Sequence, residues 1–480
     1  MPKLHSVQLN RDLCVGCTNC IKRCPTEAIR VRDGKARIAE TRCIDCGECI
    51  RACPHHAKSA VMDPISRLDD YACTIALAAP SLYAQFGAPA TRPMVLAALR
   101  NIGFDDVYEV ALGAEIITRA TSLYLEEAQR HKIKPLISSA CPVVVRLIQM
   151  KYPGLIDNLV PFDAPMEVTA SLARKEAAAR SGLAPDQIGV FFISPCPAKR
   201  SAVINPIGRR TSQVDAVIAI ADAYPMILAK LEKLDQNAIQ EIDNRLLAGY
   251  SGVRWAYAGG EAIALSTERY LAVDGIHNII AILEEVENER LRDIDFIEAN
   301  SCTGGCIGGP LTVANRFSAK SRQRGYITAA RSREGLAPGS WDEREPGSPA
   351  EIRIQSVLPD IEAWPEPLAA NHALNLDTNI LIALQKYEQM KLIADTLPGL
   401  DCGACGAPDC EALAEDIVRG EATETDCIFK LKERIRQVAA QMGELEAEMS
   451  RHTTAQGKDD AEDLPAAQKR GVDGAPVGLS

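Results

Sequence analysis

The chain has 480 residues, 47% hydrophobic and 24% charged, with a formal net charge of −11 and a pI near 5.3. This composition is that of a soluble globular protein and excludes a collagen, a mucin or a wholly disordered chain; the acidic balance argues against nucleic acid as a partner. Length alone suggests about three domains. No apolar run reaches the roughly 20 residues a membrane helix needs, and the start, MPKLHSVQLNRDLC, reads as no signal peptide. The expected location is therefore cytoplasmic. Seventeen cysteines in a compartment that keeps thiols reduced argue for metal rather than disulfides.

Residues 1–60 hold eight of these cysteines and 11 Lys/Arg against 6 Asp/Glu, a basic head whose charge could offset that of bound clusters. The head is an internal repeat: CVGCTNCIKRCPTEAI from Cys14 is echoed by CIDCGECIRACPHHA from Cys43. Each copy has C-x2-C-x2-C-x3-C-P spacing, in which three cysteines two apart wrap one four-iron cube and the fourth completes the other. Cys14, Cys17, Cys20 and Cys53 are thus expected around one 4Fe-4S cluster, and Cys43, Cys46, Cys49 and Cys24 around its neighbour. Structural zinc, the alternative, prefers paired CxxC ligands. The head resembles a bacterial two-cluster ferredoxin of α+β fold, an electron conduit. His55 and His56 are expected only to cover a cube.

The centre of the chain alternates short β-branched runs with amphipathic helical runs, the α/β pattern. KPLISS, GVFFIS, DAVIAI and IDFIEA read as buried strands, and AEIITRATSLYLEEAQR and MEVTASLARKEAAARS as helices. Cys73 reads as a structural core thiol. Cys141, Cys196, Cys302 and Cys306 follow predicted strands in turns rich in Pro and Gly. Sites in α/β sheets form outside the carboxyl ends of strands, so three converging junctions would bring four thiolates into one crevice. Singly, each would be a buried thiol; with the head upstream, the metal reading prevails. The glycines nearby would let backbone approach a bulky inorganic ligand.

The stretches SSACP, SPCPAK and SCTGGCIGGP resemble the three active-site signatures of the FeFe hydrogenases, in order and at similar separations over roughly residues 75–315. The resemblance implies a two-lobed catalytic domain in which Cys141, Cys196, Cys302 and Cys306 hold a four-iron cube. Cys306 would bridge to a diiron unit carrying CO, cyanide and a dithiolate. It further implies that Lys199 meets a cyanide and that Gly304, Gly305, Gly308 and Gly309 are the family's glycines. Four departures stand out. Ala140 replaces the cysteine that carries protons in fast hydrogenases, and alanine has no titratable group. The helix before it offers Glu115 but not the usual carboxylate pair. Ser194 and Asn300 occupy positions of pocket methionines, and Pro310-Leu311 replace a further glycine and Gln-Pro. Intact ligands without the standard proton route resemble the sensory branch of the family.

Further on, NILIALQKYEQMKLIADTL reads as a helix ending at Pro398-Gly399. Cys402, Cys405, Cys410 and Cys427 then have x2, x4 and x16 spacing, similar to the four-cysteine 4Fe-4S module of Rnf-type and corrinoid iron–sulfur proteins; zinc is again the alternative. From Ile428 to Met449 apolar residues recur at intervals of 3 and 4, a heptad seam. It could pack on its own domain, form a homodimer or engage a signalling partner. Residues 451–480 read as a disordered tail. The expected layout is a ferredoxin-like head at 1–65, a hydrogenase-like domain at 66–365, a helical 4Fe-4S domain at 366–435 and a heptad helix at 428–450. The expected function is slow, reversible reaction with H2 and protons in hydrogen or redox sensing. Electrons would pass through four 4Fe-4S clusters to ferredoxin or another redox protein, and maturation proteins would supply the diiron unit. A faster ferredoxin-linked catalyst and a non-enzymatic iron–sulfur assembly protein are the alternatives.

Overall fold

The computed structural model describes residues 5–131, 133–245, 248–265, 267–335 and 348–459. The chain divides into two compact units. One comprises Met1–Ala383 with Gly406–Pro408, the other Leu384–Cys405 with Asp409–Ser480. Head and central region therefore share one unit, and the second begins at Leu384 instead of residue 366. No helix among the described residues is long and apolar enough to cross a membrane.

In the head, β1 (Val7–Leu9), β2 (Ile29–Arg32), β3 (Lys35–Ile38) and β4 (Lys58–Ala60) form two antiparallel ribbons, β1 with β4 and β2 with β3. The sequence repeat is also a backbone repeat. At an offset of 29 residues, Gly16 (φ 67°) corresponds to Asp45 (φ 54°), Thr18 (φ 64°) to Gly47 (φ 74°), and Glu27 (φ 51°) to His56 (φ 50°). The residues flanking the second cysteine of each loop are thus left-handed, a conformation most side chains avoid. That turns a C-x2-C-x2-C stretch into a bowl.

The central region builds two parallel sheets from β5 (Cys73–Ala78), β6 (Asp106–Glu109), β7 (Leu136–Ile137), β8 (Ile188–Ser194), β9 (Ala216–Ala219), β10 (Tyr270–Asp274) and β11 (Phe296–Asn300). Four strands run in the order β6-β5-β8-β9 and three in the order β10-β11-β7. The mixed α/β reading holds, and each predicted strand and helix of the centre has its counterpart. Alternate residues of β5 enter opposite cores: Ala76 and Ala78 pack with Phe191 and Ile193, Ile75 and Leu77 with Val190 and Phe192. Burial on both faces is what an interior parallel strand requires. Cys73 opens β5 and packs beside the second of these cores.

The second unit holds helix Ile380–Thr396 from Leu384 onward, together with helices Cys410–Val418 and Ile428–Asp459. The last helix corrects the tail expectation over residues 451–459, which continue it; residues 460–480 lie outside the described residues.

A cysteine-lined cavity at the strand ends

Two of the central cysteines stand where a strand gives way at once to a helix. Cys141 is the residue before helix Pro142–Lys151, and Cys196 the residue before helix Pro197–Ile204. Proline at the first helical position has its φ already set for the helix and lacks an N–H that would go unpaired there. The Cys-Pro pairs thus place each thiol at a positive helix end. Cys302 and Cys306 follow β11 in a tight loop with Gly304 and Gly305 at φ 86°. All four cysteines line one cavity, together with Ala140, Ser138, Lys199, Glu261, Glu298, Asn300 and Gly309.

The thiols suit a multivalent cationic ligand. Burial, then the neighbouring Cys302, Cys141 and Cys306, pushes the Cys196 thiol well above its usual range. Cys306 is exposed as a residue, yet its thiol is buried and pushed up to about 12 by desolvation and by Cys302 and Cys141. Thiols such as Cys196, Cys302 and Cys306, desolvated and close together, are costly as thiolates until a cationic centre offsets them. An iron–sulfur cube is such a centre.

Lys199 Nζ lines the cavity and donates to the Ala140 carbonyl at 2.9 Å. Asn300 also lines it, donating to Glu298 at 2.7 Å. Ser194 does not: its hydroxyl donates to the Cys196 carbonyl and accepts the Cys196 N–H, so it shapes the turn that holds a ligand cysteine. The glycines act differently from the sequence argument. A Cβ on Gly305 would meet backbone of Tyr257 and Ala258 at 2.5–2.7 Å, on Gly308 the Thr303 carbonyl at 2.4 Å, and on Gly309 the Pro195 carbonyl at 2.5 Å. They admit neighbouring protein backbone, and only Gly309 also faces the cavity.

Sequence reasoning missed two groups here. The first is a buried carboxyl pair. Glu298, on β11, accepts N–H groups from Gly259 and Ala262, both at 2.9 Å, and so caps the short helix Gly260–Ala264 that carries Glu261. Glu261 accepts from Ser138 Oγ at 2.6 Å, and Ser138 Oγ accepts the Ala140 N–H at 3.3 Å. Burial and then the charge of Glu298 push the Glu261 carboxyl up to about 8. Glu298 is raised by burial, against its backbone hydrogen bonds. The second is Arg51, on the head helix Glu48–Ala52 between cluster cysteines. Its guanidinium donates to the Gly308 carbonyl, and its positive charge lowers the Cys302 thiol against the effect of burial.

Glu115 has a different task. It accepts from Gly249 N at 3.1 Å, Gly252 N at 3.0 Å and Ser251 Oγ at 2.6 Å, and it does not line the cavity. Glu115→Ala should cost about 1–3 kcal/mol, because it strands buried N–H donors. Urea unfolding will read that loss, and the redox chemistry of the cavity should be unaffected.

In the head, Cys14, Cys17, Cys20 and Cys53 line one small cavity with His55 and Lys58. Cys24 lies among Cys43, Cys46 and Cys49, raising the last two thiols and Cys43 further after burial has raised them. Backbone N–H groups of Ala28 and Ala57 donate to Cys24 and Cys53 sulfurs at 3.2 and 3.3 Å, again 29 residues apart. In the second unit Cys402 and Cys405 precede a helix that Cys410 opens, and Cys427 is buried just before the last helix.

The family described as the iron only hydrogenase large subunit, C-terminal domain, matches residues 72–268 and 232–310. A 4Fe-4S dicluster domain matches residues 6–54, and an Fe-S cluster family matches residues 397–429. The periplasmic [Fe] hydrogenase large subunit of Nitratidesulfovibrio vulgaris is 28% identical over 363 residues, 64% of this chain and 86% of that protein. Iron hydrogenase 1 of Clostridium pasteurianum is 24% identical over 324 residues, 55% of each. The chain belongs to the iron-only hydrogenase large-subunit family. It is an iron–sulfur member, and it spans little more than half the length of the clostridial relative. A solved variant of HydA1 from Chlamydomonas reinhardtii covers 62% of this hydrogenase-family chain and 91% of its own, with 16% identity and a TM-score of 0.44.

Proposed function

We propose that this chain reacts reversibly with dihydrogen, H2 = 2 H+ + 2 e−, at the cysteine-lined cavity, and that it does so slowly, as a sensor of hydrogen or redox state. One observation carries the reading: Cys141, Cys196, Cys302 and Cys306 share a cavity with Lys199, Glu261 and Glu298, while position 140 offers only a methyl group. A four-iron cube on those cysteines, joined through Cys306 to a diiron unit with CO, cyanide and a dithiolate, would supply the redox centre. Cys14, Cys17, Cys20 and Cys53, and Cys43, Cys46, Cys49 and Cys24, would hold two further cubes that feed it. Cys402, Cys405, Cys410 and Cys427 would hold a fourth.

The protein's own groups divide the remaining work. Lys199, tethered by the Ala140 carbonyl, presents an ammonium to any anionic ligand in the cavity. Glu261 keeps a proton at neutral pH because its carboxyl is raised, and the Ser138 hydroxyl lies 2.6 Å away to pass it on. Asn300 and two backbone N–H groups hold Glu298 in place beside it. A hydroxyl is a poor acid, which favours slow exchange over the thiol route that Ala140 lacks. The carboxyl pair also favours a second reading, a working ferredoxin-linked catalyst with an unusual proton route.

Maturation with the diiron cofactor should give infrared bands of CO and cyanide that shift under hydrogen. No such bands would favour an assembly protein. Ala140→Cys separates the other two readings: a large rise in turnover supports the slow reading, and an unchanged rate supports the catalyst with its own route.

A further inference from the structure

The final helix, Ile428–Asp459, carries a seam that its own unit leaves open. Ile428, Leu431, Ile435, Val438, Met442 and Leu445 are each 40–59% exposed. Isolated apolar residues on a surface need no explanation, but six at alternating 3 and 4 spacing form the stripe that helix pairing buries. Taking Ile428 as position a, the flanking e positions are Lys432, Ala439 and Glu446, and the g positions are Arg434, Gln441 and Glu448.

The charges around that seam are polarised. Lys430, Lys432, Arg434 and Arg436 crowd its first half against the single acid Glu433, and Glu444, Glu446 and Glu448 occupy its second. In a parallel pair, g of one heptad faces e of the partner's next heptad. Arg434 would then meet Ala439 and Gln441 would meet Glu446, while each like-charged end would lie beside its copy. An antiparallel pair reverses this. With Ile435 packed against Leu445 of the other copy and Val438 against Met442, e faces e and g faces g. Lys432 then meets Glu446 and Arg434 meets Glu448, each pair occurring twice, and the neutral Ala439 and Gln441 fall at the two-fold axis.

We infer that this helix pairs with a second copy of the same chain as an antiparallel coiled coil, specified by Lys432–Glu446 and Arg434–Glu448 contacts between copies. The pairing goes beyond the hydrogen chemistry proposed above and does not depend on it. In this register Cys427 lies opposite residue 453 of the other copy. The two tail cysteine sets then stand at opposite ends of the pair, about 39 Å apart along the axis at 1.5 Å per residue.

Sedimentation of the full cluster-loaded chain should give a dimer. Glu446→Lys with Glu448→Lys should weaken self-association at least tenfold, and adding Lys432→Glu with Arg434→Glu to the same chain should restore it. All four changes are on a helix surface, and circular dichroism checks that helicity is kept. A carbodiimide cross-link between Lys432 and Glu446 reports orientation, because within one helix these residues lie about 21 Å apart. A monomer at all concentrations, a dimer indifferent to the charge changes, or a dimer without that cross-link would each overturn the inference.

Discussion

Glu261→Gln lowers hydrogen turnover by about 10²–10⁴-fold, the range a positioned proton donor contributes, with iron and sulfide content unchanged. Glutamine keeps the shape and can still accept from Ser138 Oγ, so only the exchangeable proton is lost. The wild-type pH profile should report the same group. Its carboxyl rises from 4.5 to about 8 in the folded chain, so hydrogen evolution that needs the proton declines as the pH passes about 8. Stability follows the same sign. The protonated form's contribution is full below 4.5 and is lost as the pH climbs through about 8, so unfolding becomes easier across that window. In the glutamine variant that slope should flatten. Turnover that survives the substitution within twofold would sink the proposed role of this carboxyl.

Arg51→Gln should make the cluster on Cys141, Cys196, Cys302 and Cys306 harder to reduce. The guanidinium brings a positive charge beside the Cys302 sulfur, which stabilises the more negative reduced state. Losing it should lower the midpoint by about 59 mV or more, a tenfold change in a one-electron equilibrium. Arg51→Lys keeps the charge, so its shift should be smaller. Redox titration followed by infrared and paramagnetic resonance measures both variants. An unmoved midpoint in the glutamine variant would show that the contact is mechanical only.

The grouping of the cysteines that line each cavity was legible because their spacing is local. Spacings of two and three residues set which thiols can reach one cube, and the 29-residue repeat doubles that signal. The strands around Cys141, Cys196 and Cys302 were legible from short β-branched runs. β5, which pairs with both β6 and β8, was not among the predicted strands, because in CTIALA only Thr74 and Ile75 are β-branched. Glu298 stood at the head of the third motif without a role and Glu261 was silent, because the two meet only when β11 caps a five-residue helix 36–39 residues earlier in the chain. Arg51 reaches Gly308 across 257 positions, and no local pattern encodes such a contact. Ser194 was given a pocket role that belongs to turn geometry, and Gly305 and Gly308 a role that belongs to backbone clearance, since sequence position cannot say which way a side chain faces.

The loop around Asp45 has a consequence for how such proteins can be recombined. Its carboxylate takes the N–H groups of Ser6 and Val7 at 3.1 and 2.9 Å and the Ser201 hydroxyl at 2.6 Å. Ser201 stands on the helix that also carries Lys199 and starts beside Cys196. A cluster loop of the head and a wall of the cavity are therefore fastened through one acid. Exchanging the head for that of a relative would leave a buried hydroxyl and the Gly308 carbonyl without their partners, unless the graft brought matching residues at positions 45 and 51. Head and cavity are inherited together here, and variation in one is constrained by the other.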